Sequence, residues 1–284
     1  MLKQRVMTAV VLMLILMPAI LSTSALPFAA LMLVLMAAAA WEWARLNGLT
    51  GMAAYALSAV CLVLCGTSWW LGWPQTAMPM LWVVAGAAWV LCAAYLLKVG
   101  VAGWPGIPKA LRLVLGVLAL WAAWLAVAQA KTMGTNFLLS ILSLVWVADI
   151  AAYFAGRKFG LRFTKGKLAP SISPGKSWEG AWGGAVGVLV LAAIWCLADR
   201  HFGATSPSVY TRLLAHSPWL LVVAALFFSA MSVAGDLVES LVKRSAGMKD
   251  SSNLLPGHGG VLDRIDALLP TLPLAMMVVQ FLDK

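Results

Sequence analysis

Long apolar runs, each close to 20 residues and almost free of charge, follow one another along nearly the whole chain. They lie at about 6–22, 25–44, 52–72, 78–97, 110–130, 135–156, 181–199, 217–238 and 262–282. An α-helix rises 1.5 Å per residue, so about 20 apolar residues cross a hydrocarbon core about 30 Å thick. The strands of a membrane barrel would instead alternate over short segments. The pattern therefore predicts an all-α, polytopic membrane protein with about nine transmembrane helices.

The composition supports this interpretation. The chain has 284 residues, of which 63% are hydrophobic and only 11% are charged. A soluble domain is typically about 45–50% apolar and about 25% charged. A globule of this length could not bury so much apolar surface, which excludes a soluble enzyme and a disordered protein.

The basic residues are distributed unevenly between the two sides of the predicted bundle. Sixteen of the twenty lysines and arginines fall on the same side as the N-terminus, and the other side receives Lys131, Arg200, Arg212 and Lys284. The positive-inside rule therefore predicts a cytoplasmic N-terminus and an outward-facing C-terminus. The first run also resembles a signal peptide, because Lys3 and Arg5 precede its apolar core. We expect Lys131→Ala to be silent, since Lys131 lies on the outer side.

We treat residues 1–284 as one integral-membrane domain. Within it, the N-terminal helices (1–134) carry few polar features, whereas residues 135–284 contain two charged segments, at 157–180 and 239–262. All four cysteines lie inside apolar runs. Cys61 and Cys65 have helical i, i+4 spacing, but no histidine or carboxylate is near them in sequence. They are therefore predicted to be buried side chains rather than metal ligands.

Seven of the ten acidic residues lie in or beside the two charged segments: Asp149, Glu179, Asp236, Glu239, Asp250, Asp263 and Asp266. An acid at the centre of a membrane helix costs about 2.5–3.5 kcal/mol, so pairing or metal binding must offset several of them. Asp236 and Glu239 share a helix face, as do Asp263 and Asp266, because each pair is three residues apart. Two such pairs at one membrane face suit Mg²⁺.

Structural explanations of the same residues stay open at this point. Glu239 and Lys243 are four residues apart and could form a simple helix ion pair. The run Asp263-Arg264-Asp266 could be an interfacial charge cluster, and the basic loop 157–176 could contact anionic lipid.

The second segment also interleaves cations with these carboxylates. Lys243, Arg244, Lys249 and Arg264 surround the turn Pro256-Gly-His-Gly-Gly260, whose glycines let backbone N–H groups approach an anion. Cations, amides and carboxylates are the groups that phosphoryl or nucleotidyl transfer requires. The chain has neither a Walker motif nor a dinucleotide-binding motif, so the site is not a P-loop or Rossmann site.

The run from Ser240 to Asp266 resembles the signature of the bacterial phosphatidate cytidylyltransferases, also called CDP-diacylglycerol synthases. The matching positions are Ser240, Lys243, Arg244, Lys249, Asp250, Pro256, His258, Gly259, Gly260, Asp263, Arg264 and Asp266. The upstream run Ser173-Pro-Gly-Lys176-Ser-Trp-Glu179-Gly180 resembles a second element of that family.

The resemblance implies transfer of the cytidylyl group of CTP to phosphatidate at the cytoplasmic face of a bacterial inner membrane. It implies a homodimer in membrane lipid, no nucleic acid partner, a requirement for Mg²⁺, and leaves a second, monovalent cation open. It further implies three sets of site residues. The catalytic set is Asp236, Lys243, Arg244, Lys249, His258, Asp263, Arg264 and Asp266. The substrate-binding set is Ser173, Lys176, Glu179, Asp250, Gly259 and Gly260, and the metal ligands are Asp236, Asp263 and Asp266.

Two other functions compete with this one. A secondary transporter usually has polar residues near the bilayer midplane, on broken helices, whereas here they gather at one face. Another membrane transferase is a closer alternative. The differently spaced aspartates of a CDP-alcohol phosphotransferase are absent, so a CTP-dependent polyprenol kinase remains, and it differs in whether the α- or the γ-phosphate of CTP enters the lipid.

Overall fold

The computed structural model describes residues 2–282, and this part of the chain is mainly helical. The helices are α1 (Leu2–Leu21), α2 (Leu26–Leu46), α3 (Gly51–Trp70), α4 (Pro79–Gly103), α5 (Lys109–Met133), α6 (Thr135–Phe159), α7 (Trp178–Phe202), α8 (Val209–His216), α9 (Pro218–Ser245), α10 (Leu262–Ile265) and α11 (Leu268–Leu282). Short 3₁₀ turns lie at Trp73–Gln75 and Trp104–Gly106. A small antiparallel hairpin pairs β1 (Lys167–Ala169) with β2 (Ser173–Ser177). Lys284 lies outside the described residues.

Within residues 2–282, nine helical stretches are long and apolar enough to cross a membrane, which confirms the predicted fold class. They correspond one for one to the nine predicted runs, and the ninth combines α10 and α11 across a break. Several helices extend beyond the predicted runs, as α6 and α9 do through the basic residues of their last turns. The loops between the spans are correspondingly shorter, at 160–177 and 246–261. Cys61 and Cys65 are buried free thiols, as predicted.

The ends of the helices follow from local sequence. Pro79 and Pro218 lie in the first turns of α4 and α9, where a missing N–H costs nothing. The Ser177 hydroxyl accepts a hydrogen bond from the Gly180 N–H (3.1 Å) and caps α7. Gly203 has φ +61° and ends that helix in the left-handed conformation.

Small residues let α6 and α7 pack unusually closely. A Cβ atom added at Gly184 would lie 2.8 Å from the Ala148 carbonyl oxygen, and one added at Gly183 would lie 2.1 Å from the Ala155 Cβ. Such contacts are typical of membrane helices, whose association depends on close backbone approach. The packing fixes the position of the hairpin, because the hairpin directly precedes α7.

The helix ends form two faces. The site face carries the start of α1 and the loops 47–50, 104–108, 160–177 and 246–261, and the opposite face carries the remaining loops. At the site face, the Thr8 hydroxyl donates to the Pro256 carbonyl oxygen (2.9 Å). At the opposite face, the Lys131 ammonium donates to the carbonyl oxygens of Ile20 (2.5 Å) and Ser22 (2.9 Å). Both ends of α1 are therefore fastened to the bundle.

Candidate active site

The two charged segments meet at the site face. The Lys176 ammonium, at the end of the hairpin, lies 2.6 Å from a carboxylate oxygen of Asp236 on α9. The Arg244 guanidinium donates to the carbonyl oxygens of Ile172 in the hairpin (3.4 Å) and Met248 (3.3 Å). The convergence expected from the sequence is therefore present in the fold. Arg244 uses its donors to hold the two segments together.

Asp263 is the best-connected carboxylate of the second segment. Its Oδ2 accepts from the Ser251 N–H (2.9 Å), the Ser251 hydroxyl (2.9 Å) and the Gly260 N–H (2.8 Å). Its Oδ1 lies 2.5 Å from the Lys243 ammonium. The side chain is only 5% exposed. Asp263 thus joins the 246–261 loop to α9.

Lys243 also pairs with Glu239 one turn earlier on α9, and both side chains are almost fully buried. The simple helix ion pair considered from the sequence is therefore present, but it is part of a larger group. One ammonium serves two carboxylates, Glu239 and Asp263. The ammonium therefore keeps one buried carboxylate partner if the other is removed.

A second group of carboxylates comes from α6, from α9 and from the break between α10 and α11. Asp149 on α6 interacts electrostatically with Asp236, Lys176 and Arg264. Asp266 interacts with Asp236 and Asp149, and its Oδ1 accepts from the Ala267 N–H (2.7 Å). The sequence marks Asp149 as a costly acid, but the predicted site does not include it. The fold places it close enough to interact with four residues that the predicted site does include, namely Asp236, Lys176, Arg264 and Asp266.

The other predicted residues lie on the same face with different environments. Lys249, Asp250 and Arg264 are exposed, and Ser173 is half-buried within β2. His258 is half-buried, and its Nδ1 is buried without a hydrogen-bond partner among the described residues. Exposed cations at this face are accessible to an anionic substrate.

Glu179 organises the hairpin loop. Its Oε1 accepts from the Phe163 N–H (3.0 Å), the Thr164 N–H (2.8 Å) and the Thr164 hydroxyl (2.9 Å). The carboxylate therefore holds residues 163–164 against the first turn of α7. Its Oε2 is buried and has no partner among the described residues.

The glycines of the turn serve the loop itself. Gly257 and Gly259 have φ values of +77° and +83°, which L side chains rarely adopt. A Cβ at Gly259 would lie 2.7 Å from the Asp263 Oδ2, and one at Gly260 would lie 2.4 Å from the Glu42 Oε1. The Gly260 N–H already donates to Asp263. Close backbone approach is needed, but here the approaching anions are carboxylates of the chain.

Glu42, near the end of α2, is a second residue of the site that sequence reasoning missed. Its Oε1 accepts from the Ser252 hydroxyl (2.6 Å) and the Val261 N–H (2.9 Å). Its Oε2 accepts from the Ser251 hydroxyl (3.1 Å) and the Leu262 N–H (2.7 Å). The side chain is fully buried. The available signal was a lone acid at the edge of an apolar run, which requires a partner.

The donor chemistry of the site fits Mg²⁺. Mg²⁺ usually takes one or two protein carboxylates and completes its shell with water and substrate phosphates. Asp236 and Asp263 each turn one carboxylate oxygen toward a lysine ammonium, which marks these oxygens as positions for positive charge. Within residues 2–282, no three His, Cys, Asp or Glu side chains form a group that could hold a metal ion, so the three predicted ligands Asp236, Asp263 and Asp266 do not come together as one ready-made site. Phosphate and water ligands would therefore have to complete the coordination.

A separate cavity of about 320 Å³ lies at the opposite face, between the α3–α4 connection and the ends of α5 and α11. Its main polar group, Gln129, donates to the carbonyl oxygens of Trp73 and Thr76 and accepts from Gln280. These polar groups satisfy one another. The charged groups of the site face lie elsewhere.

Comparison with known proteins shows the family to which the chain belongs. The model of the cytidylyltransferase family matches residues 3–282. The phosphatidate cytidylyltransferase of Pseudomonas aeruginosa is 39% identical over 278 residues, covering 96% of this chain and 95% of that protein. Those of Haemophilus influenzae and Bacillus subtilis are 49% and 42% identical over 140 residues, about half of this chain and less than half of each relative. The chain therefore belongs to the cytidylyltransferase family.

Proposed function

We propose that this protein transfers the cytidylyl group of CTP to phosphatidate, giving CDP-diacylglycerol and diphosphate for phospholipid synthesis. The observation that carries the proposal is the meeting of the two charged segments at one end of the membrane-spanning helices, where Arg244 donates to the Ile172 carbonyl oxygen and Lys176 pairs with Asp236 on α9. A site at the end of the spans is accessible to a water-soluble nucleotide and to a lipid headgroup. Relatives named for this activity support the same conclusion.

The reaction brings two anions together. A phosphate oxygen of phosphatidate attacks the α-phosphorus of CTP, and diphosphate leaves in line. The nucleophile is already anionic near neutral pH, so no strong general base is needed. The main barrier is charge repulsion, which fixed positive groups reduce most effectively when they are held before the substrates arrive.

The cations of the site face divide this work. Arg264 and Lys249 are exposed and are proposed to contact the substrate phosphates. Lys176 is about one quarter exposed and can turn from Asp236 toward a phosphate. Lys243 is buried between two acids and is proposed to hold Asp263. His258 is half-buried in the same loop and is proposed to contact a phosphate or a metal-bound water.

Asp236 and Asp263 are the proposed ligands of Mg²⁺, with Asp266 beside them, and substrate phosphates and water would complete the coordination. When bound there, the ion would supply positive charge to the α-phosphate and to the leaving diphosphate. The proposal assigns no residues to a second, monovalent cation. Ser173, Asp250 and Gly259 lie in the two charged segments and are proposed substrate neighbours.

The protein is also proposed to lie in a bacterial inner membrane with the site face toward the cytoplasm and to form a homodimer. The excess of lysine and arginine on the site face supports this orientation. Thiol labelling of the variants Lys165→Cys and Arg200→Cys tests it, because only the thiol introduced by Lys165→Cys should be protected from an impermeant reagent in intact cells. Crosslinking in membranes tests the dimer.

The decisive assay uses purified protein in detergent micelles with Mg²⁺, phosphatidate and CTP labelled on the α-phosphate. We expect label in the lipid and free diphosphate, with both products lost in EDTA. A second assay replaces phosphatidate by a polyprenol and uses CTP labelled on the γ-phosphate. Transfer of that label to the polyprenol would instead establish the kinase alternative. No transfer by folded protein in either assay would refute the enzymatic proposal.

A further inference from the structure

Glu42 reaches the active site from a helix that contributes no other group to it. Its carboxylate receives four hydrogen bonds, two from serine hydroxyls and two from backbone N–H groups. All four donors lie between Ser251 and Leu262, which are the two ends of one segment. Glu42 therefore fixes the separation of these ends.

The two backbone bonds lie at the start of α10. The N–H groups of Val261 and Leu262 open this short helix, where helix geometry leaves N–H groups without partners. A carboxylate supplied from α2 satisfies both. It also sets the direction in which α10 leaves the loop. Asp263 directly follows Leu262, so the direction of the Asp263 side chain depends on the same two bonds.

A second connection runs through Ser251. Its hydroxyl lies 3.1 Å from the Glu42 Oε2 and 2.9 Å from the Asp263 Oδ2. The two carboxylates therefore share one donor, and the position of each depends on the other. The fully buried Glu42 has no direct access to substrate.

We propose that Glu42 is a positioning residue of the active site. It holds both ends of the 251–262 segment and thereby orients Asp263 for the reaction. This inference rests on the proposed function, because it assigns Glu42 a part in cytidylyl transfer. The bonds themselves can be tested without activity.

A carboxylate is required at this position for a geometric reason. In Glu42→Gln, one oxygen becomes an NH₂ group. In one amide orientation this group opposes the Leu262 N–H, and in the other it opposes the Val261 N–H. A hydroxyl could rotate and accept, but a backbone N–H cannot. Either orientation breaks one bond at the start of α10.

The experiment compares Glu42→Gln, Ser251→Ala and the double variant with the unchanged protein. Ser58→Ala is the matched control. It removes the hydrogen bond from Ser58 on α3 to the Ala37 carbonyl oxygen on α2, the helix that carries Glu42, away from the loop. The measurements are kcat and KM for CTP per folded molecule, the folded fraction, and amide hydrogen exchange of residues 251–262.

We expect kcat of Glu42→Gln to fall about 10–100-fold, the usual effect of removing a group that orients a ligand or catalytic side chain. Exchange should accelerate at Val261 or Leu262 while the membrane spans stay protected. Ser251→Ala should also lower kcat, and the double variant should lose less than the product of the two single effects, because both act on Asp263. Ser58→Ala should match the unchanged protein.

A Glu42→Gln protein with unchanged kcat and exchange would overturn the inference. So would a loss of activity matched by the loss of folded protein, with exchange accelerated throughout. If Glu42→Gln does not fold, an unchanged kcat in Ser251→Ala overturns the proposed connection to Asp263. If the unchanged protein transfers no cytidylyl group, the proposed function fails, while the exchange data still decide whether Glu42 fixes the segment.

Discussion

Replacing Asp263 by asparagine removes one negative charge from the centre of the site while keeping the shape of the side chain. The amide oxygen can still accept the three donors that now bond to Oδ2. The NH₂ group then faces the Lys243 ammonium, which now lies 2.5 Å from Oδ1. Two donors therefore oppose each other at a side chain that is only 5% exposed.

The stability cost can be bounded from these contacts. Losing one partner of a buried ion pair costs about 3–5 kcal/mol. Lys243 keeps its contact with Glu239, so the lower end, about 3 kcal/mol, is expected. A stability of about 5–15 kcal/mol is typical of folded proteins, so the variant should fold. Turnover per folded molecule should also fall, by about 10²-fold or more, since fixed electrostatic groups contribute on that scale.

Asp199→Asn is the matched control, because Asp199 lies in the last turn of α7 at the opposite face. Its carboxylate accepts from the Asn136 amide (2.8 Å), the Ser208 N–H (2.8 Å) and the Thr211 hydroxyl (2.6 Å). The same substitution should therefore lower stability without touching the chemistry. Thermal unfolding in detergent and label transfer per folded molecule measure the two effects. Equal losses of turnover in both variants, or none in Asp263→Asn, would refute the reasoning.

Three further substitutions test other parts of the structure. Lys131→Ala removes three hydrogen bonds from a buried ammonium, and should lower stability by about 1–3 kcal/mol with unchanged turnover per folded molecule, as thermal unfolding can show. Gly184→Val places a side chain where the ideal Cβ lies 2.8 Å from the Ala148 carbonyl oxygen, and it should lower stability by about 1–3 kcal/mol. Gly66→Val is the control in the same unfolding assay and should leave stability unchanged, because nothing lies within 4 Å of a Cβ at Gly66. Lys176→Met should raise KM for CTP about 10-fold with a smaller change in kcat, as expected for one lost charge-assisted phosphate contact. Lys165→Met, in the exposed part of the loop, is the control in the same steady-state kinetic assay.

The transmembrane helices could be predicted from the sequence because each depends on local properties. Length and continuous apolarity define a span, whatever it packs against. The helix ends were less well defined, because basic residues such as Arg157 and Lys158 continue a helix beyond the apolar core. The prediction that Lys131→Ala has no effect was based only on the position of Lys131 on the outer side. Its burial, at 6% exposed, and its bonds to α1 require the packed structure and change the expected effect on stability.

The site could be predicted in part for a similar reason. Spans of alternating direction place segments 157–180 and 239–262 on one side, and this was enough to expect that their charges meet. Glu42 could not be connected to them, because it lies 209 residues from Ser251 in sequence. Hydropathy shows that such an acid needs a partner, but only the packing of α2 against the loop shows which partner it has.

Individual carboxylate oxygens explain how one site combines rigidity with access to a cation. Oxygens that accept several N–H or O–H groups, as in Glu42 and at Asp263 Oδ2, hold the loop and are costly to release. Others face ammonium groups instead, namely Asp263 Oδ1 at Lys243 and Asp236 Oδ2 at Lys176. A hard cation can replace an ammonium at these oxygens without removing positive charge from the site. Asp263 can therefore anchor the loop through one oxygen and offer the other to Mg²⁺, so its proposed metal role is compatible with its structural bonds.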